Sequence, residues 1–338
     1  MRPDGGARLK LPSLIAEIGL NHGGSLARAV QMVRELGVVA REYPAGIAAK
    51  FQAVFPETLC TADSPTYFQQ VGEIAPTQRE FFTRSATFTQ RDYEFLADEC
   101  VANGVEFLCT PFDVATVGWL NPLVKAFKIA SADITNIPLL DAIAATGKPV
   151  YLSTGAATLA EIDEATVGRW RRRDVTWMHC VLSYPTPLAD AHLAPIARWA
   201  PYGPTGYSDH TLFSRDVLTT AWLLGASVIE KHYTFDKTLP GNDHYHSMDQ
   251  LDLSLLCQHF RQLQLVIGEG DKRVLPIEEA ARRYARRGLY AARAIPQGKT
   301  LEAEDIAILR PSARLGPERY RSLLGVGALQ DYQAGDPL

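Results

Sequence analysis

The sequence predicts an α/β protein: a closed eight-stranded parallel barrel, (β/α)₈, followed by a small β-rich module. Three observations predict it. Eight short apolar runs recur over the first ~270 residues of the 338-residue chain, and stretches with helical periodicity separate them. The runs are continuously apolar rather than alternating, as strands buried on both faces should be. Polar and charged residues gather at the C-terminal ends of the runs, where barrel enzymes place their chemistry. An open doubly wound sheet is the alternative, but the first run lacks the GxGxxG turn that would favour it.

In order, the runs are SLIAEIGL (13–20), GIAAKFQ (46–52), VEFLCTPF (105–112), AFKIAS (126–131), PVYLST (149–154), VTWMHCV (175–181), PTGYSD (204–209) and SVIEKHY (227–233). Between them SLARAVQMVRELGVVARE reads as a helix with Ser25 as N-cap. TQRDYEFLADECVANG, NIPLLDAIAATG, LAEIDEATVGRW, FSRDVLTTAWLLG and QLDLSLLCQHFRQLQLVIG read likewise, and several end in the Gly expected of a C-cap. The boundaries follow: a barrel over 1–270, a charged linker over 271–284, and a module over 285–338 in which short β-like runs alternate with Gly, Pro and acidic turns. A unit that small buries little surface and is expected to be stabilised by docking.

The formal net charge of -4 gives no support to a nucleic-acid partner. Basic runs at 169–173 and 282–287 read as solvated faces. The N-terminus has no apolar run long enough for a signal peptide, and no later segment is long and apolar enough to span a bilayer. Five cysteines without a CxxC read as reduced core thiols. A cytoplasmic enzyme without membrane contact is the expectation.

The chemistry is read from the run ends. Glu17, Asn21, His22, Lys50, Gln52, Thr110, Lys128, Ser131, Asp133, Ser153, Thr154, Ser183, Tyr184, Ser208, Asp209, His210, Glu230 and His232 all fall there. A ring of such groups at one mouth is costly unless they are partnered or used. His210 and His232 close the seventh and eighth runs, which are barrel neighbours, so two imidazoles can meet on one cation. Two nitrogen ligands with open positions suit Mn²⁺ first, with Mg²⁺ or Co²⁺ as alternatives, better than a closed structural Zn²⁺ site. Lys50 and Lys128 among hydroxyls suit a phosphorylated carboxylate. The Ser153-Thr154-Gly155 turn could offer backbone N–H groups to phosphate, although an ordinary βα turn would look the same.

IAEIGLNHGGS, AAKFQ, CTPFD, FKIASADITN, LSTGA, HCVLSYPTP, GYSDHT and IEKHYTFDKTLPGNDH occur in that order. Together they resemble the N-acetylneuraminate (sialic acid) synthase family, which includes legionaminic and pseudaminic acid synthases and spore-coat polysaccharide homologues. The segment AARAIPQGKTLEAEDIAILRP resembles the antifreeze-like (SAF) domain of those enzymes. The resemblance implies a transferase that condenses phosphoenolpyruvate with the open-chain aldehyde of an N-acyl amino sugar, N-acetylmannosamine or a 6-deoxy-diacetamido hexose, giving a nonulosonic acid and phosphate by C–O cleavage. It implies that Lys50, Thr110, Lys128, Ser131, Ser153, Tyr184 and Ser208 surround phosphoenolpyruvate. It also implies that Gln52, Asp133, Tyr184, Asp243 and Arg310 meet the sugar, that Glu17 stands by the reacting carbons, and that His210 and His232 hold the metal. Arg310 is expected to act in the partner's barrel, which makes the assembly a homodimer with swapped C-terminal domains.

The chain departs from the family pattern at Leu182, where some members carry Asn, and at Asp133, where Glu is frequent. His244 and His246 are additional histidines near the sugar end, and His246 reads equally as a loop residue or a sugar contact. These departures bear on the identity of the sugar. Two other enzymes fit the same barrel. One is an ulosonate-phosphate synthase, which would lack the appended module. The other is an aldolase forming a pyruvate Schiff base on Lys50 or Lys128, which borohydride would trap.

Overall fold

The structure, a computed structural model, describes residues 9–68, 74–241 and 243–338. The described residues up to Gly268 form one compact unit and Glu269–Leu338 another.

In the first unit eight parallel strands run in the order β3-β2-β1-β8-β7-β6-β5-β4. They are β1 (Ser13–Gly19), β2 (Ile47–Ala53), β3 (Glu106–Pro111), β4 (Phe127–Ile129), β5 (Val150–Ser153), β6 (Val175–Cys180), β7 (Thr205–Asp209) and β8 (Val228–His232). β3 and β4 lie side by side and complete the round without a ladder among the described residues. Every apolar run is a strand. The six patterned stretches are helices, among them Leu26–Ala40, whose N-cap Ser25 accepts the Arg28 N–H, and Gln250–Ile267, which ends at Gly268 in the left-handed region (φ 64°). Four further helices, Pro56–Leu59, Gln78–Ser85, Val114–Leu120 and Ala194–Trp199, were not indicated by the sequence pattern. They are short, and Gln78–Ser85 buries no residue, so it carries no apolar stripe to read.

The two faces of the strands do different work. Outward residues pack under the helices in one large core, with Trp222 and Phe260 in edge contact at 5.1 Å. That face also holds a buried ion pair, Lys231 Nζ to Asp209 Oδ2 at 2.8 Å, with the Tyr207 hydroxyl donating to Asp209 Oδ1 at 2.9 Å. Asp209 is therefore a structural strut on β7 rather than part of the mouth. Inside the barrel, Ile15, Ala48, Leu108, Met178 and Val228 form a separate apolar plug with Tyr151 packed against it. Two residues further along each strand the character changes from apolar to polar: Glu17, Lys50, Thr110, Ser153, Cys180 and Glu230, because strand side chains repeat every two residues. The plug is thus the floor on which a polar layer rests.

The second unit pairs β9 (Gly288–Ala291) with β10 (Ile306–Leu309) antiparallel. Its core is small: Ala291, Ile295, Leu301, Ala328 and Tyr332. The fully buried Asp305 ties the unit together, with Arg293 Nε at 2.7 Å, Lys299 Nζ at 2.6 Å and the Glu302 N–H at 3.0 Å. The stretch 271–284, expected as a linker, contains an exposed helix, Glu279–Tyr284. Among the described residues no helix is long and apolar enough to cross a membrane. All five cysteines are free thiols.

Gly206 marks how closely the plug is packed. A Cβ there would overlap the Met178 sulfur and stand 2.9 Å from the Val228 carbonyl oxygen, which is backbone and cannot yield. Gly206→Ala is expected to destabilise the barrel by ~1–3 kcal/mol through overpacking. Urea denaturation of both proteins checks this, and an unchanged midpoint would mean that the plug has slack.

Candidate active site

A cavity of about 330 Å³ opens at the C-terminal ends of the strands, directly above the plug. Of the fourteen residues to which the family resemblance assigns roles, thirteen line it: Glu17, Lys50, Gln52, Thr110, Lys128, Ser131, Asp133, Ser153, Tyr184, Ser208, His210, His232 and Asp243. The exception, Arg310, lies exposed beyond β10 in the second unit.

The base of the cavity is a buried charged layer. Lys50 Nζ sits 2.7 Å from Glu17 Oε2, 3.5 Å from Glu230 Oε1 and 3.1 Å from Thr110 Oγ1. Lys128 Nζ sits 3.5 Å from Glu230 Oε2 and donates to Ser153 Oγ at 2.7 Å. Gln52 fixes the other oxygen of Glu17 by donating to Oε1 at 2.6 Å. Two ammonium groups thus face two carboxylates, and Glu230 bridges both lysines. Burial disfavours charge on all of them. For Lys50 the adjacent Glu17 and Glu230 outweigh burial and its pKa is raised. For Lys128 burial prevails over the help of Glu230, Lys50 repels it, and its pKa is lowered. Burial pushes Glu230 up, but the two lysines overcome that and hold it below the usual carboxylate range.

Above this layer hydroxyls and backbone groups predominate. Ser131 opens a one-turn 3₁₀ helix (Ser131–Asp133), and its hydroxyl accepts the Gly155 N–H at 2.9 Å. The Thr154 N–H goes to the Met178 carbonyl at 3.1 Å. Those two amides of the Ser153-Thr154-Gly155 turn are therefore engaged within the protein, and the turn is not the open phosphate cradle that its composition allowed. Asp133 accepts from Asn136 at 3.0 Å, and burial raises its pKa against that bond. Burial likewise raises the Tyr184 phenol well above its ordinary value and pushes the Cys180 thiol up to about 11, so both stay protonated at neutral pH. Leu182 lines the wall and supplies no polar contact where the family pattern has Asn.

His210 and His232 face each other with ring centres 5.4 Å apart, and the Tyr184 ring lies 4.2 Å from that of His210. His210 Nδ1 donates to the Val181 carbonyl at 2.8 Å, which leaves Nε2 with a lone pair. Burial drives its pKa down to about 3, so the ring is neutral. His232 Nδ1 stands 3.4 Å from Asp243 Oδ2, again leaving Nε2 for a ligand. Burial lowers the His232 pKa, but Asp243 reverses this and the net direction is upward. Two neutral-capable imidazoles on adjacent strand ends, each held through its other nitrogen, fit a divalent cation. A second grouping overlaps the first: His232, Asp243 and His246 bring ligand atoms within 4.8 Å of one another.

Two features were not resolved by sequence reasoning. Glu230 was visible as a strand-end carboxylate, but its bridging position depends on register across three strands. The apolar rim, which includes Leu59, Phe81 and Phe82, comes from the β2–β3 connection, where the sequence pattern indicated no short helices.

Residues 39–272 match the NeuB family and residues 286–338 the SAF domain. The chain is 34% identical to the N,N'-diacetyllegionaminic acid synthase of Legionella pneumophila, over 96% of this chain and 92% of that one. It is 29% identical to the pseudaminic acid synthase of Helicobacter pylori, over 98% and 97%. Among solved structures, the N-acetylneuraminic acid synthetase of Leptospira borgpetersenii is 32% identical with a TM-score of 0.69, covering 80% of this chain and 90% of that one. A putative spore coat polysaccharide biosynthesis protein E from Chromobacterium violaceum superposes with a TM-score of 0.78 at 27% identity, covering 97% and 98%. With most of its length matched by one family and a relative this similar along nearly the whole of both chains, the protein belongs to the NeuB family.

Proposed function

We propose that this chain is a cytoplasmic transferase that condenses phosphoenolpyruvate with the aldehyde of an N-acyl amino sugar, forming a nonulosonic acid and phosphate. The observation that carries the reading is the buried layer in which Lys50 and Lys128 face Glu17 and Glu230 beneath a pair of imidazoles. Such a layer provides cations for an anionic substrate and a carboxylate for proton transfer within one small cavity. The names of its relatives, legionaminic and pseudaminic acid synthases, support the same chemistry.

In this reading Lys50 and Lys128, with Thr110, Ser131, Ser153 and Ser208, neutralise and orient the phosphate and carboxylate of phosphoenolpyruvate. Gln52, Asp133, Tyr184 and Asp243 face the sugar. His210 and His232 hold a divalent metal, Mn²⁺ in the first instance, which when bound polarises the aldehyde oxygen. The enol carbon then bonds to the aldehyde carbon, whose oxygen takes up a proton from solvent. Positive charge develops at C2 of the former phosphoenolpyruvate. Glu17, held by Gln52 and Lys50, stabilises that charge and accepts a proton from the water that adds there. The resulting hemiketal phosphate expels inorganic phosphate by breaking its C–O bond. Arg310 completes the sugar site from the partner chain of a swapped homodimer, offering a planar fork that Lys cannot copy.

Phosphate release from phosphoenolpyruvate should depend strictly on an N-acyl hexosamine and on a divalent cation. His210→Ala and His232→Ala should each lower turnover by more than about a hundredfold, since losing a ligand costs more than losing a residue that merely orients one. Full activity after exhaustive chelation would contradict the reading.

Arg310→Ala should reduce kcat/KM for the sugar roughly ten- to a hundredfold, the value of one charge-assisted hydrogen bond, with a smaller effect on phosphoenolpyruvate. Exchanging subunits between Arg310→Ala and His232→Ala proteins should restore activity, because one barrel of the mixed dimer then has an intact metal site and a partner's arginine. No recovery after verified exchange would place the arginine in its own barrel or in none.

A further inference from the structure

The segment after β8 brings a third imidazole to the histidine pair. His246 ends a one-turn 3₁₀ helix, His244–His246, and its side chain is 0% exposed. The turn is tightly fixed. The Ser247 hydroxyl donates to the Asp243 carbonyl at 2.6 Å and accepts from Asn21 Nδ2 at 3.1 Å, and the Met248 N–H donates to the His232 carbonyl at 2.8 Å.

Asp243 lies between two rings whose centres are 5.0 Å apart. One of its oxygens stands 3.4 Å from His232 Nδ1 and the other 3.3 Å from His246 Nε2. An ionised carboxylate only accepts, so the His246 nitrogen hydrogen-bonded to it carries a proton, and the longer ion-pair contact at His232 favours a proton on Nδ1. That arrangement leaves His232 Nε2 with its lone pair.

We propose that His246 is a positioning residue for the metal centre. It holds Asp243 by one oxygen while the other oxygen orients His232, so that His232 Nε2 is aimed at a cation shared with His210. The inference rests on the reading of His210 and His232 as ligands. It gives Asp243 a task beyond the sugar contact that the resemblance assigns to it. It also gives His246, which sequence reasoning left open as a loop residue or a sugar contact, a defined role through a carboxylate–histidine–metal relay.

The test is a Co²⁺ titration of the full-length, chelator-stripped protein, followed by visible absorption and by competition with a chelating dye. His246→Ala should weaken Co²⁺ binding roughly ten- to a hundredfold, the usual cost of losing an orienting partner. His246→Gln should recover most of that affinity, because its amide nitrogen reaches the place of Nε2 and donates to Asp243. Band positions should match the wild type in both variants, since the ligand set is unchanged. If the alanine variant does not fold, Asp243→Asn carries the same test and should weaken binding to a similar degree. Unchanged Co²⁺ affinity in folded His246→Ala would overturn the proposal. So would a loss that glutamine fails to rescue, accompanied by shifted bands, since that pattern indicates direct ligation. His210→Ala separates the two levels. If it binds Co²⁺ as well as the wild type does, the metal reading itself falls and this inference with it. If it loses the metal while His246→Ala does not, only the positioning role falls.

Discussion

Two ammonium groups buried at the throat of a barrel persist as cations only if carboxylates return their charge, and this constraint organises the protein. Glu17, Lys50, Glu230 and Lys128 pair in that order in an open, linear circuit across β1, β2, β8 and β4. The circuit requires those strands to hold their register, because a slip of one residue would turn each charge into the apolar outer core. The plug below fixes that register. Met178 fills the space left free by Gly206, and Ile15, Leu108 and Val228 close the layer to water. Low exposure in turn strengthens every interaction in the layer.

On the function proposed above, the same circuit lets a small cavity take a highly anionic substrate: two lysines face two carboxylates, so an entering phosphate would compete with Glu17 and Glu230 for the lysines. Lys50 is held from two sides and stays firmly charged, whereas Lys128 has, among the described residues, Glu230 alone within ion-pair distance and is the less stable cation. The layer is therefore asymmetric. The half near Gln52 and Glu17 is held by an amide and a carboxylate, and the half near Ser153 and Ser131 by neutral hydroxyls. Above it, the imidazoles are held through their outer nitrogens by a backbone carbonyl and by Asp243.

Much of this was legible in the sequence. All eight strands could be read because parallel strands buried on both faces appear as short continuous apolar runs, and the polar residue ending each run marks the mouth. Gln78–Ser85 could not be read, since a helix that buries nothing leaves no periodic trace. Asp209 looked like a mouth residue by its position in SDHT, yet it faces outward to Lys231, and a single extra step along a strand decides the face. Pairings were less accessible than membership. Lys50, Lys128 and Glu230 were all visible, but which carboxylate bridges which lysines depends on barrel closure. The Thr154 and Gly155 amides of the Ser153-Thr154-Gly155 turn are taken up by Met178 and Ser131, each 24 residues away in sequence. The arrangement of Asp243 between His232 and His246 depends on a loop that returns to β8 through Met248.

The most direct test of the function is the fate of the bridging oxygen of phosphoenolpyruvate. A layer that stabilises positive charge at C2 and delivers water there must break the C–O bond. Turnover of phosphoenolpyruvate labelled with ¹⁸O in the bridge, in the presence of an N-acyl hexosamine acceptor, should place the label in released phosphate. Label retained in the sugar acid would mean that water attacks phosphorus, and would contradict the account.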